Sequence, residues 1–392
     1  MPWHDALTRL GSPKDPFVGY GAVMSASAVV LIPFVDARTV GVRKSELGRM
    51  LFMDAMTVRR VAAVQGAAGF TGAVWVRLGG TIVLEQGFGL ANRSEGIPNS
   101  PETRFGIASG AKFLTAIAIN QLVDAGQLAW DARLIDCLPF SFPHFDPGVT
   151  IHHLLTHTAG IPDYFDEAVT EDFEALWADR PMYRIRRLED FLPLFQDRPM
   201  QGRVGERFHY CNSGYILLGL VVAQVARQPF ADYMAERVFA PAGMTQSGYF
   251  EMDALPPRTA LGYIEQPDGR WKTNIYSVPA KGASDGGVYV TVYDMASAWD
   301  ALLKHRLLSS ASTARLLTPH VAADEDGWRY GYGVWVDQRG GETVKYYLMG
   351  YDPGANFHFG FFPAKEAMVV VCSNQSNGAY AMMEAIEEEL TR

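Results

Sequence analysis

Cysteine is scarce in this sequence: Cys137, Cys211 and Cys372 are the only three in 392 residues, odd in number and far apart. That rules out a disulfide framework and a cysteine-paired metal site, and it suits a reducing, cytoplasmic compartment. Charge is sparse as well. Charged residues make up 20%, the net charge is -9, and no long run of Lys and Arg occurs, so nucleic acid is not an expected partner. A long apolar run is also missing. The nearest candidate, residues 22–35 (AVMSASAVVLIPFV), is too short to span a bilayer and is interrupted by Pro33. It makes a poor export signal, because a long stretch of balanced charge precedes it, although Val35-Asp36-Ala37 has the look of a cleavage site. Residues 1–55 read as an N-terminal extension, and repeats and low-complexity segments are absent.

What is present is a chain 48% apolar and long enough to bury a large core. Residues 56–67 read as a helix. Residues 71–93 read as a β-hairpin, with Val74 and Val76 alternating before a Gly79-Gly80 turn and Ile82 and Leu84 alternating after it. Helices follow over 111–126, 150–156, 212–227, 229–239 and 292–304, the last capped by Thr291. The pattern then turns to strands over 331–337, 342–348, 355–362 and 368–373, and a helix over 379–390 closes the chain. Strands at both ends with helices between them predict an α/β (α+β) fold. Its sheet is mixed, mainly antiparallel, built from both chain ends and flanked by helices. One hydrolase domain over 56–392 is expected, with a sheet lobe (56–108 plus 325–392) and an inserted helical lobe (109–324).

The chemistry concentrates at residues 104–119 (RFGIASGAKFLTAIAI), where a Gly-rich turn gives way to an apolar helix. Ser109 stands at the helix start, and Lys112 lies one turn on, on the same face. A serine hydroxyl becomes a useful nucleophile when a neighbouring amine takes its proton, and the helix dipole favours the developing anion. Ser109-Gly110-Ala111-Lys112 is the only S-x-x-K, and Tyr210-Cys211-Asn212 the only Y-x-N, in the sequence. A buried tyrosine beside a lysine can hold its phenolate and pass a proton. An amide two residues on can hydrogen-bond both the lysine and a substrate carbonyl.

With these motifs the chain resembles the serine β-lactamase/penicillin-binding-protein superfamily, in the branch of class C β-lactamases, D-aminopeptidases, D,D-carboxypeptidases and family VIII esterases. The likeness runs from about residue 61 to the C-terminus and includes 151–162 (IHHLLTHTAGIP) and 238–249 (VFAPAGMTQSGY). The resemblance implies a β-lactamase/transpeptidase-like fold, Ser109 as acylated nucleophile, Lys112 and Tyr210 as base pair, and Asn212 as second-motif amide. It implies no metal and no cofactor. The superfamily's third motif, Lys or His, a small residue, then Gly, falls on Leu348, Met349 and Gly350, counted back from Pro353-Gly354. These are the expected substrate-binding residues, with the N–H groups of Ser109 and Tyr351 as the oxyanion hole. The motif's cation helps bind a substrate carboxylate, so Leu348 in its place tilts the expectation to neutral substrates.

Three features of the sequence compete with this reading. Gly282-Ala283-Ser284-Asp285-Gly286 matches G-x-S-x-G but lacks the strand before and the helix directly after that a nucleophile elbow needs. His153 and His157 have zinc spacing but no H-E-x-x-H glutamate and no third ligand. Lys272-Thr273-Asn274 imitates the third motif, yet reads as lying outside any strand. The expected activity is hydrolysis of small or medium acyl esters. The substrate partner is a small-molecule ester or amide, and no membrane span is expected. A D-amino-acid peptidase, amidase or β-lactamase-like hydrolase is the alternative reading, and a non-catalytic acyl-binding or sensor protein is a second.

Overall fold

The computed structural model describes Arg60, Val64 and residues 69–391 apart from 171, 325 and 326. The extension over 1–55 and most of the helix expected over 56–67 lie outside the described residues. Eight strands form one sheet: β1 (Gly72–Leu78), β2 (Thr81–Phe88), β3 (Val321–Ala322), β4 (Trp328–Tyr330), β5 (Trp335–Arg339), β6 (Glu342–Asp352), β7 (Ala355–Phe362) and β8 (Ala367–Ser373). Their order is β2-β1-β8-β7-β6-β5-β4-β3, and each neighbouring pair is antiparallel. The early hairpin therefore joins the late strands along β1–β8, with Gly72 opposite Ser373 and Leu78 opposite Ala367. That junction is why both chain ends are needed to close the sheet.

Period-two alternation sorts the strand side chains onto two buried faces. Val74, Val76, Val369 and Val371 point to one face, where they pack with Met382, Met383 and Ile386 of α6 (Ala379–Thr391). Ala73, Trp75, Met368, Val370 and Cys372 point to the other, larger core. That core also takes in α1 (Ala111–Asp124), α3 (Asn212–Ala226), α4 (Val292–Leu303) and α5 (Ser310–Leu317), together with their connecting segments. Strand β8 is buried throughout, as a strand covered on both faces must be. Helices α1 and α3 are apolar almost all round, which marks them as core helices rather than surface ones. Between them in sequence lies α2 (Ile151–Leu155), whose capping box pairs Thr150 with His153.

Two expectations about strands need correction. The strand expected over 331–337 is broken between β4 and β5. Gly333 has φ 71°, and a Cβ there would lie 2.7 Å from the Lys112 carbonyl, so the chain leaves the sheet to let α1 approach. Lys272, expected outside any strand, lies in a three-residue strand (Trp271–Thr273) paired with Tyr263–Glu265 in a separate ribbon. Three residues are too few for alternation to be seen in sequence. Strand β6 also runs on past Leu348 to Asp352, and this extension shapes the site. Among the described residues no helix is long and apolar enough to cross a membrane.

Candidate active site

Ser109 sits in a single 3-10 turn, Ala108–Gly110, that runs directly into α1. Ala108 holds φ 44°, a left-handed conformation that a residue with a Cβ adopts at a cost, as backbone at functional sites often does. Close packing holds the turn on both sides. A Cβ at Gly110 would strike the Phe357 ring at 2.6 Å, and one at Gly350 would lie 2.1 Å from the Ile107 carbonyl and 2.9 Å from the Ser109 nitrogen. Strand β6 thus passes the nucleophile turn backbone to backbone, which only glycine at 350 allows.

Lys112 is 1% exposed and engages three oxygens. Its Nζ lies 3.0 Å from Ser109 Oγ, 2.8 Å from Asn212 Oδ1 and 2.8 Å from the Asp285 carbonyl. Asn212 opens α3, and its Nδ2 donates to the Phe165 carbonyl at 3.1 Å and to Asp163 and Glu167 at 3.3 Å each. Those acceptors fix the amide's orientation and turn its Oδ1 to the lysine. The Nδ2 expected to meet a substrate carbonyl is therefore engaged within the protein. Asp163 takes the first backbone N–H groups of α3, from Asn212 at 2.8 Å and Ser213 at 2.9 Å. A buried carboxylate there caps the helix and fixes where its first residue, Asn212, stands.

Tyr210 immediately precedes this helix start, and Lys112 Nζ lies 4.9 Å from the centre of its ring. Burial, and next the nearby Glu167 carboxylate, push the Tyr210 phenol well above its ordinary pKa, while a hydrogen bond with Ser109 acts weakly the other way. Burial above all, with Glu167, Asp285 and Asp163 adding to it, thus favours the neutral phenol over the phenolate that a neighbouring lysine can hold. His157 braces it, with ring centroids 4.4 Å apart. Its Nδ1 accepts from the Cys211 N–H at 3.0 Å, which leaves Nε2 to donate to Tyr330 Oη at 3.2 Å. Burial holds this imidazole neutral.

The pocket in front of Ser109 is lined by Asn212, Gly286, Gly287 and Tyr289, by Tyr164, Phe165, Phe173, Trp177 and Phe191, and by the carboxylates Glu167, Asp285 and Asp352. Sequence reading missed Asp163 and these three carboxylates. Asp352 carried a legible signal, since it stands two residues beyond Gly350 and so on the same strand face. Burial, with Asp285 and Glu167 adding to it, raises Asp352 to about 8. Burial also raises Glu167 to about 7 and Asp163 to about 6, with Lys112 opposing in each case.

Of the third-motif residues, Gly350 meets the nucleophile turn as described. Leu348 is 2% exposed and belongs to the main core rather than to the pocket lining. Met349 points to the opposite face and packs on the α6 core. Tyr351 is half-buried with its ring 5.9 Å from that of Phe173. Ser284 is fully buried in the turn behind Lys112, its carbonyl taking the Thr115 hydroxyl at 2.6 Å and its own Oγ meeting no partner among the described residues. Lys272 reaches out to Glu174 rather than into the pocket.

Comparison with known proteins gives consistent matches. The sequence model of the Beta-lactamase family matches residues 57–390. The putative penicillin-binding protein PbpX of Bacillus subtilis is 30% identical over 319 residues, 79% of this chain and 72% of that protein. Esterase EstB of Burkholderia gladioli is 33% identical over 195 residues, 48% of this chain and 49% of that protein. The crystal structure of a penicillin-binding protein from Bacillus halodurans superposes with a TM-score of 0.81 at 55% identity, covering 84% of this chain and 99% of that one.

Proposed function

The chain belongs to the Beta-lactamase family of serine hydrolases, and on that premise we propose that it hydrolyses small or medium acyl esters through an acyl-enzyme on Ser109. The observation that carries this reading is the three-oxygen setting of Lys112. Two of those oxygens are carbonyls and can only accept. In the free-amine form that the general-base role requires, Lys112 has two N–H donors and one lone pair, and with the carbonyls holding both donors the lone pair faces Ser109 Oγ. Lys112 then takes the hydroxyl proton as Oγ bonds to the substrate carbonyl carbon.

The backbone N–H groups of Ser109 and Tyr351 receive the resulting oxyanion. When the tetrahedral adduct collapses, the bond to the alcohol breaks and the alcohol leaves with the proton that Lys112 took. The neutral phenol of Tyr210 can relay that proton, giving its own and accepting the lysine's. Water then attacks the acyl carbon by the same route, and Ser109 regains its proton. Two things favour esters over carboxylate-bearing β-lactams or D-peptides. The position of the motif cation holds a buried leucine, and the curated relative EstB is named an esterase.

A chromogenic short-chain ester tests this. Steady turnover by the wild type is expected, with Ser109→Ala lowering kcat by about four orders of magnitude or more. A single stoichiometric burst would contradict it and favour the acyl-binding sensor, and turnover that survives Ser109→Ala would remove the nucleophile assignment.

A further inference from the structure

Ser284 is fully buried, yet the G-x-S-x-G match to which it belongs packs directly against the residues around Lys112. Its carbonyl takes the hydroxyl of Thr115, just beyond Lys112 on α1, at 2.6 Å. The Gly287 N–H donates to the Ala108 carbonyl, beside the nucleophile, at 3.3 Å. A Cβ at Gly219 of α3 would lie 2.2 Å from Ser284 Oγ, so that helix also touches the turn. Within the turn, the Ala283 N–H meets the Gly286 carbonyl at 2.7 Å. What this pinned turn presents to the site is one backbone oxygen, the Asp285 carbonyl, 2.8 Å from Lys112 Nζ.

The other carbonyl that holds Lys112, Asn212 Oδ1 at 2.8 Å, comes from a different element, the start of α3. Together the two oxygens hold both amine donors, so their spacing sets where the lone pair points. Tyr164 spans the two elements that carry them. Its backbone N–H donates to Ser213 Oγ, next to Asn212, at 2.8 Å, and its hydroxyl donates to the Asp285 carboxyl. That carboxyl also takes the N–H groups of its own turn, from Asp285 and Gly286. Burial, and next the Asp285 carboxyl, push the Tyr164 phenol well above its ordinary pKa, so it keeps the proton it donates. Its ring is held on Phe191, with centroids 5.2 Å apart.

We propose that Tyr164 is a positioning residue, a strut whose hydroxyl acts through the Asp285 side chain. It fixes the Asp285 carbonyl relative to Asn212 and so aims the Lys112 lone pair at Ser109. The proposal rests on the acyl-enzyme reading and gives a role in it to a tyrosine and a turn that the reaction itself leaves unused. Without the hydroxyl, the Asp285 peptide keeps its ties to α1 but loses its tie to the start of α3. Lys112 then spends less time with its lone pair on Ser109 Oγ.

The test follows inactivation by a fluorophosphonate, in which Ser109 Oγ bonds to phosphorus, fluoride leaves and Lys112 takes the hydroxyl proton. Its concentration dependence separates the first-order constant kinact from the binding constant KI. Tyr164→Phe keeps the ring and removes only the hydroxyl. It should lower kinact by about ten- to a hundredfold, the scale of a misplaced catalytic group, with KI changed by less than about twofold. Asp285→Ala should lower kinact likewise. Asp285→Asn, whose side-chain oxygen can still accept from Tyr164, should recover most of the rate. Since both groups act through one strut, adding Tyr164→Phe to Asp285→Ala should cost less than about twofold more. Each rate is taken well below the melting temperature of that variant, so unfolding does not enter it.

A wild-type kinact in Tyr164→Phe, a loss confined to KI, or losses from Tyr164→Phe and Asp285→Ala that multiply would each overturn the strut. So would an Asp285→Asn variant as slow as Asp285→Ala, since the charge rather than the hydrogen bond would then matter. All four outcomes leave the acyl-enzyme reading standing, because Ser109 is still labelled in the wild type. A wild type without an adduct on Ser109 would refute that reading and the strut with it.

Discussion

The two walls of the pocket are built differently. On the nucleophile side, Ser109, Lys112, Asn212 and Asp163 form a chain in which each polar group meets another, from the serine hydroxyl through the lysine and the amide to the cap of α3. On the strand side, β6 offers a glycine pressed against the turn and, two residues later, the carboxyl group of Asp352, which accepts no side-chain hydrogen bond among the described residues. The first wall is pre-organised before anything binds, as the chemical step requires. On the reading proposed above, the second is the wall at which substrates are told apart.

The largest effect on this comparison is expected from Gly350→Ala, which brings the two walls into conflict. The new Cβ would lie 2.1 Å from the Ile107 carbonyl and 2.9 Å from the Ser109 nitrogen, so strand or turn has to shift. A displacement of about 1 Å costs about a hundredfold in rate, and kcat/KM on a neutral ester should fall by that order. The melting temperature measured alongside separates misplacement from unfolding. A variant with unchanged rate would mean that the two walls are not in register through Gly350.

A smaller effect sharpens the contrast between a partnered and an unpartnered carboxylate. Asp352 is raised from 3.8 to about 8, so the folded state binds its proton more tightly than the unfolded chain does. Wild-type stability from this group is therefore lost as pH rises from about 4 to about 8. Asp352→Asn should raise the melting temperature little at the acid end of that window and progressively more towards its alkaline end. Asp163→Asn should instead lower it, because this carboxylate caps α3 through the N–H groups of Asn212 and Ser213. Melting curves across the window check both. A stabilisation by Asp352→Asn that did not vary with pH would contradict the account of that wall.

The two walls were also unequally legible in the sequence. Ser109, Lys112, Tyr210 and Asn212 stand out because their spacing within S-x-x-K and Y-x-N is local and helical, and their elements lie where the apolar pattern puts them. The sheet was legible as well, from Val74 and Val76, then Ile82 and Leu84, alternating about the Gly79-Gly80 turn, and from strand-length apolar runs such as 368–373 near the C-terminus. What escaped notice depends on folding distant segments together. Glu167 carries no motif and Asp285 belongs only to the rival G-x-S-x-G match; both gain their importance from burial near Lys112, which lies far from each of them in sequence. The neutral state of Tyr210 also follows from that burial. Leu348 was placed on the right strand, but its burial in the main core could not be read from its neighbours in sequence.

The account stands or falls on which serine is acylated, and a covalent label answers that directly. The protein is treated with a fluorophosphonate, digested and mapped by mass spectrometry. Ser109 is half-buried at the pocket floor beside Lys112, whereas Ser284 is fully buried behind it. One adduct per chain is expected, on the peptide containing Ser109, with labelling lost in Lys112→Ala. An adduct on Ser284 with Ser109 unmodified would contradict the central claim.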